Sequence, residues 1–171
     1  MGEKIPFRIY ANFEKMKNIL TKGTKRIPIV LYGNDYSATE CYQSFENVPF
    51  IILENAVKYS YKEGQEISIT FCRQDTNDLI VSVSSFSPFC TPEEISNVFI
   101  KGFRGKYAKQ TTVEGSGIGL YFAKLLCDAN NVDIQVSSSQ SKNCIEDIEY
   151  SIFTVQLTFH NVIEYKERHK K

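Results

Sequence analysis

The stretch Phe50-Ile51-Ile52-Leu53-Glu54-Asn55-Ala56-Val57-Lys58-Tyr59-Ser60 carries an amide, a cation and an aromatic ring at helical spacing. Phe50, Leu53, Ala56 and Val57 recur three and four apart, an apolar stripe suited to a core. Asn55, Lys58 and Tyr59 then fall together on another edge, because residues three and four apart are neighbours on a helix. Such a set suits a metal ion, a phosphate chain and a flat base. Taken alone, the same pattern also describes an ordinary amphipathic helix with solvated surface residues. A second stretch, Gly115-Ser116-Gly117-Ile118-Gly119-Leu120, opens the helical run Tyr121 to Asp128. Alternate glycines can bring bare backbone N–H groups up to an anion at a helix start, where the dipole favours negative charge. Their order is neither the G-x-G-x-x-G of a dinucleotide fold nor a P-loop with its lysine.

Other elements must hold these two stretches in place. Ile9 to Leu20 has apolar residues at 9, 13, 16, 19 and 20, a helix ended by Gly23. Arg26 to Tyr32 is β-rich, and Pro28 puts it at a sheet edge or a strand start. Asp35 to Asn47 reads as weakly helical and leads into the Asn55 helix, which starts near Pro49. Gln65 to Arg73 and Asp78 to Ser84 alternate apolar and polar residues across a turn-rich link at 74–77, the pattern of an antiparallel hairpin. Thr91-Pro92-Glu93-Glu94 is a helix start, with an N-cap, a first-turn proline and acids. From Lys101 to Ser116 the pattern dissolves, as in a functional lid. Tyr121 to Ala129 resumes a helix with Phe122, Leu125 and Leu126 as its expected core face, and Val132 to Ser137 and Tyr150 to Phe159 close the sheet. The division expected is an N-terminal helix and linker at 1–25, one domain at 26–160 and a polar tail at 161–171. The order of elements gives an α+β fold, helices on one face of a mixed sheet.

The 171 residues suffice for one domain with a sizeable core, and 42% hydrophobic content fits a globular chain. Twenty basic and twenty acidic residues cancel, so nucleic acid is not an expected partner. The five cysteines are odd in number, widely spaced and form no C-x-x-C pair, which predicts reduced thiols. No secretory signal is seen, and no apolar run approaches the ~20 residues of a membrane span. A cytoplasmic location is expected.

The Asn-Ala-x-Lys-Tyr-Ser helix, the run from Val98-Phe99 to Phe103-Arg104-Gly105, and Gly-Ser-Gly-Ile-Gly-Leu together resemble the ATP-binding catalytic domain of sensor histidine kinases. That domain belongs to a superfamily shared with gyrase, the heat-shock chaperone ATPases and the mismatch-repair ATPases. The resemblance covers residues 26 to 160 and implies a two-layer α/β sandwich that binds ATP and Mg²⁺. By it, Asn55 is the Mg²⁺ ligand, Lys58 meets the phosphate chain and Tyr59 lies against adenine. Gly115, Gly117, Gly119 and Leu120 cradle phosphates as the lid closes, with Phe99 and Phe103 as its anchor. Arg104, Lys106 and Lys109 bring positive charge near the lid.

The chain departs from the family at one box, Asp-x-Gly-x-Gly, whose Asp reads the adenine amino group. Ungapped alignment puts Ser85 at that Asp, Ser87 and Phe89 at the glycines, and Phe86 and Pro88 between them. The looser glycine box near the last strand is not recognisable. One turn before Asn55, where hydrolytic members hold a Glu, stands Ile51, and Glu54 lies about 100° round the helix, which disfavours a free-standing ATPase. The two histidines, His160 and His169, sit in or after the last strand. The function implied is donation of the ATP γ-phosphoryl group to a histidine outside this chain. The partner would be a histidine-bearing dimerisation domain or protein, with a response regulator as a further candidate. The alternative is a degenerate, non-catalytic nucleotide-binding or docking module of the same fold.

Overall fold

Alternation fixes the centre of the molecule. In the computed structural model, which describes residues 2–23, 27–62, 65–74, 77–111 and 115–164, the longest strands are β5 (Asp78–Pro88) and β8 (Ile148–Phe159). Leu79, Val81 and Val83 are buried, whereas Ile80, Ser82 and Ser84 between them are only half-buried. β8 repeats the pattern with Val155, Leu157 and Phe159 against Thr154, Gln156 and Thr158. The two pair antiparallel in matching phase, Val81 opposite Leu157 and Ser84 opposite Thr154, so one face is oily and the other wet. On the wet face Ser84 Oγ and Thr154 Oγ1 lie 2.8 Å apart.

Around this pair the remaining strands are β1 (Lys4–Arg8), β2 (Ile29–Tyr32), β3 (Ser37–Tyr42), β4 (Ile67–Gln74), β6 (Val132–Ser138), β7 (Asn143–Ile145) and β9 (Ile163–Glu164). The main sheet runs β2-β4-β5-β8-β6 with β7 added beside β8. Only the β2–β4 pairing in it is parallel, so the sheet is mixed, as expected. β2 lies at its edge, the place Pro28 requires, and Arg26 falls outside the described residues. The helices are α1 (Ile9–Gly23), α2 (Asn47–Tyr59), α3 (Pro92–Ile95), α4 (Lys106–Thr111) and α5 (Gly119–Ala129). Phe13 of α1, Ile52 and Leu53 of α2 and Ala123 and Cys127 of α5 share one core with Val81, Leu157 and Phe159. This is the two-layer α+β sandwich.

Three expectations need correction. Asp35 to Asn47 is not helical over its first half. Ser37–Tyr42 forms β3, and only Gln43–Glu46 makes a 3₁₀ turn. β3 is the middle of a small second sheet, β1-β3-β9, that short-range patterning does not disclose. The rings of Phe7, Phe45 and Phe159 bind that sheet to the main core, Phe7 and Phe45 meeting edge-on at 4.9 Å. Each such fully buried ring contributes about 1.5–3 kcal/mol. Second, the tail supplies β9 at Ile163–Glu164; residues 165–171, including His169, lie outside the described residues. Third, the lid span is not structureless throughout, because Lys106–Thr111 forms α4.

Candidate functional site

α2 owes its orientation to its buried residues Val48, Pro49, Ile52, Leu53 and Ala56, which press one face into the core. It starts at Asn47, so Pro49 stands in the first turn, where its missing N–H costs nothing. The opposite edge carries Glu54, Asn55, Lys58 and Tyr59. At the C-terminus Ser60 N donates to Ala56 O at 2.9 Å, and Tyr61 N donates to Phe86 O of β5 at 2.8 Å. That second bond ties the Lys58–Tyr59 end of the helix to the end of β5 that carries Ser85 and Ser87.

The three alternate glycines face this edge for three different reasons. Gly117 has φ +67°, and a Cβ there would come within 2.6 Å of Gly102 C and Phe103 O. The approach is locked by Gly102 N donating to Gly117 O at 2.9 Å. Gly115 has φ +140°, and a Cβ would stand 3.0 Å from both Lys58 Nζ and Tyr59 Oη and 3.5 Å from Arg104 Nε. Two cations and a phenol therefore converge on bare backbone. Gly119 opens α5, where a Cβ would make only ordinary contact with Ile51 Cγ2 at 3.5 Å. Ile51 thus packs under α5 and does not line the site.

Between these parts lies a cleft of about 200 Å³. All nine residues nominated for nucleotide contact line it: Asn55, Lys58, Tyr59, Ser85, Arg104, Gly115, Gly117, Gly119 and Leu120. Its floor is β5 and β8, with Val83, Val155 and Phe153 around the buried Ser85 and Ser87. Lys58, Gly115 and Ser116 are exposed at its mouth. Arg104 reaches from the lid, its Nη2 donating to Ala108 O at 3.1 Å. Lys106 and Lys109 do not line the cleft. Lys106 N donates to Glu94 Oε1 at 2.6 Å and its ammonium lies 5.0 Å from the Tyr107 ring centre, while Lys109 is exposed. Of the two lid phenylalanines, Phe103 lines the cleft and Phe99 packs against the core.

The altered box is sterically filled rather than open. Ser85 and Ser87 are 3% and 4% exposed and their hydroxyls lie 2.8 Å apart, so the floor's polar group is a closed hydroxyl pair. Phe89 is buried as a wall, its N–H donating to Glu149 O at 2.7 Å and its ring carrying the Lys142 ammonium 4.5 Å from its centre. The neighbouring Cys90 thiol is pushed up to about 12 by burial, with Glu94 adding to the effect, so it is a neutral wall group. α4 is tied down at its start by Glu94, which accepts from Lys106 N, and burial, with Glu149 adding to the effect, raises the Tyr107 phenol above its usual range. The Lys142 ammonium beside Glu149 holds that carboxyl below the usual range.

Sequence reasoning weighed Glu54 only as a water-activating acid and passed over Cys90, Ala108 and Phe153, yet all four line the cleft. Glu54 stands four residues before Lys58, a spacing that places it on the same edge. Phe153 lies opposite Ser85 in the β5–β8 register, which no local pattern reveals. The donor set fits a magnesium nucleotide. Asn55 and Glu54 offer hard oxygens, two cations face bare amides, and a dry floor suits a flat ring. Among the described residues no three His, Cys, Asp or Glu side chains gather to hold a metal alone. A Mg²⁺ ion here must therefore take most of its ligands from phosphate and water.

Comparison with known proteins agrees with this geometry. Residues 44–160 match the family model described as histidine kinase-, DNA gyrase B- and HSP90-like ATPase. The histidine protein kinase SaeS of Staphylococcus aureus (strain USA300) is 32% identical over 119 residues, which is 68% of this chain and 34% of SaeS. The chain thus spans about a third of the curated relatives it matches. Among solved structures, the mycobacterial sensor histidine kinase MprB superposes with a TM-score of 0.73 over 92% of this chain and 99% of that one, at 16% identity. Full-length ShkA in complex with AMPPNP gives a TM-score of 0.64 over 95% of this chain and 32% of that one, at 15% identity.

Proposed function

Because the chain belongs to the histidine kinase-, DNA gyrase B- and HSP90-like ATPase family, we propose that it is a Mg-ATP-binding catalytic domain that hands the γ-phosphoryl group to a histidine of another domain or protein. The observation that carries this reading is Gly115, whose missing Cβ leaves bare backbone between Lys58 Nζ, Tyr59 Oη and Arg104 Nε. An anion is the group that such a concavity accepts, and the start of α5 favours the same charge.

The roles follow from position. Asn55 holds Mg²⁺ through its side-chain oxygen, and the ion when bound neutralises charge along the phosphate chain. Lys58 and Arg104 meet phosphate oxygens at the mouth, and the amides of Gly115–Gly119 bond to them. Tyr59, Leu120 and the floor of β5 and β8 enclose the base. Phosphoryl transfer asks little covalent chemistry of the protein, so holding the chain in line and compensating its charge is most of the work. At the position of a water-activating acid the chain has Ile51 beneath α5, which keeps that flank apolar and favours transfer over hydrolysis. The acceptor histidine and any response regulator lie outside this chain. A second reading, a docking module that has lost catalysis, is favoured by Ser85, Ser87 and Phe89 alone.

Calorimetric titration with Mg-ATP tests the first reading. Asn55 is half-buried on the polar edge, so Asn55→Ala is expected to keep the wild-type melting temperature while weakening Mg-ATP binding at least about tenfold. Equal binding by wild type and variant would remove Asn55 from the site. No binding by a folded wild type would leave the docking reading.

A further inference from the structure

The cleft has two chemically distinct ends. One holds the cations and bare amides at the mouth; the other is walled by Phe89, Phe153 and Val155, with one polar feature on its floor. That feature is the Ser85–Ser87 pair, both hydroxyls buried and 2.8 Å apart. Since phosphates go to the cations, this end takes the base.

We propose that the Ser85–Ser87 hydroxyl pair reads the 6-position of a purine in either sense, so the site accepts 6-oxo as well as 6-amino purine nucleoside triphosphates. This rests on the cleft being a Mg-nucleotide site. A hydroxyl is one donor and two acceptors, and its proton rotates to suit its neighbour. The mutual bond uses one of the two protons and leaves the other proton and several lone pairs. Among the described residues neither hydroxyl has a second side-chain partner. Turned one way, the pair accepts from a 6-amino group; turned the other, it donates to a 6-oxo group. An ionised carboxylate is an acceptor only, and would face a 6-oxo group without a proton to share. A site built on it rejects the wrong partner because buried polar groups are left unpaired. The hydroxyl pair leaves neither base unpaired. Phe89, held in place by Glu149 O and the Lys142 ammonium, supplies a stacking wall that is indifferent to ring substituents.

The test is calorimetry on the full chain with the Mg²⁺ complexes of ATP, inosine triphosphate and GTP, inosine isolating the 6-oxo group and GTP adding the 2-amino group. ATP and inosine triphosphate should bind within about tenfold of each other. Ser85→Asp should raise the preference for ATP over inosine triphosphate at least about tenfold. Because a buried acid can unfold the chain, circular dichroism melting accompanies it. The Ser85→Ala, Ser87→Ala double variant is the second probe, and should weaken both nucleotides by the same factor. A wild-type preference for ATP above tenfold, or a double variant that binds both nucleotides as wild type does, overturns the proposal while the nucleotide site stands. Binding of none of the three nucleotides by folded wild type removes the site itself.

Discussion

Gly117 and Gly119 stand two residues apart in one glycine-rich stretch, yet they are constrained differently. At Gly117 an added methyl group meets backbone atoms of Gly102 and Phe103 at 2.6 Å, and backbone cannot swing aside as a side chain can. Its φ of +67° is also a region that costs an L-residue about 1–2 kcal/mol. Gly117→Ala is therefore expected to lower stability by about 2 kcal/mol or more, a fall of roughly 4–8 °C in melting temperature for a chain of this size. At Gly119 the methyl meets only Ile51 Cγ2 at 3.5 Å, and the residue is helical. Gly119→Ala should melt at or slightly above the wild-type temperature, since alanine suits a helix better by about 0.5–1 kcal/mol. Thermal melts of the two variants side by side check both signs. Equal losses would mean that the close approach to Gly102 does not hold in solution.

At the scale of elements, the segment from Gly102 to Gly117 is gathered at its ends by the Gly102 N–Gly117 O bond and anchored midway by Glu94. None of its described residues is buried, so amide hydrogens across 101–119 should exchange faster than those of α2 and α5. Mg-ATP should slow them, because Arg104 and the glycine amides then face phosphate. Exchange that is the same with and without nucleotide would argue that this segment is not a lid. The elements that could be read from sequence are those whose signals are local. The Thr91 capping box is present in full, Glu94 N donating to Thr91 Oγ1 at 3.2 Å and Thr91 N to Glu94 Oε2 at 3.0 Å. α2 and the glycine stretch likewise brought seven of the nine nominated residues to one cleft, because their chemistry is written in short spacings. β3 was misread because its partners are β1 and β9, with Ala38 opposite both Arg8 and Ile163. The core face of α5, expected at Phe122, Leu125 and Leu126, was misread in part, since only Leu126 of the three packs against the core. Ala123 and Cys127 are fully buried, whereas Phe122 and Leu125 are 47% and 45% exposed. The helix is apolar on most sides, and close approach to α2 selects small residues, a choice that hydrophobicity alone does not encode.

Across the whole molecule, His160 ties three strands together. It follows the end of β8, and its ring reaches Asp78 of β5 at 3.0 Å through Nδ1 and Asp133 of β6 at 2.8 Å through Nε2. Hydrogen bonds to Asp133 and Asp78 raise the imidazole above its usual range, and the bond to His160 holds the Asp78 carboxyl below its own. A raised His contributes stability that is complete below its unfolded value and is lost as pH climbs through the folded one. A lowered Asp contributes above its unfolded value and is lost as pH falls through the folded one. The staple is thus strongest between about pH 4 and pH 6.5. The melting-temperature gap between wild type and His160→Gln should be widest there and should narrow above neutrality. A gap that is flat from pH 5 to 8 would show that folding does not shift the titration of His160.

The β5–β8 pairing has a kinetic meaning as well. Ser84 and Thr154 touch across 70 residues of chain, and α3, α4, the glycine stretch, α5 and β6 all lie within that loop. Closing so long a loop is slow, because its entropy is lost before any contact rewards it. Most of the cleft's lining comes from inside that loop and a smaller share from α2 before it. The nucleotide binding proposed above needs both parts in place, so Mg-ATP added during refolding should change only the last, long-range step.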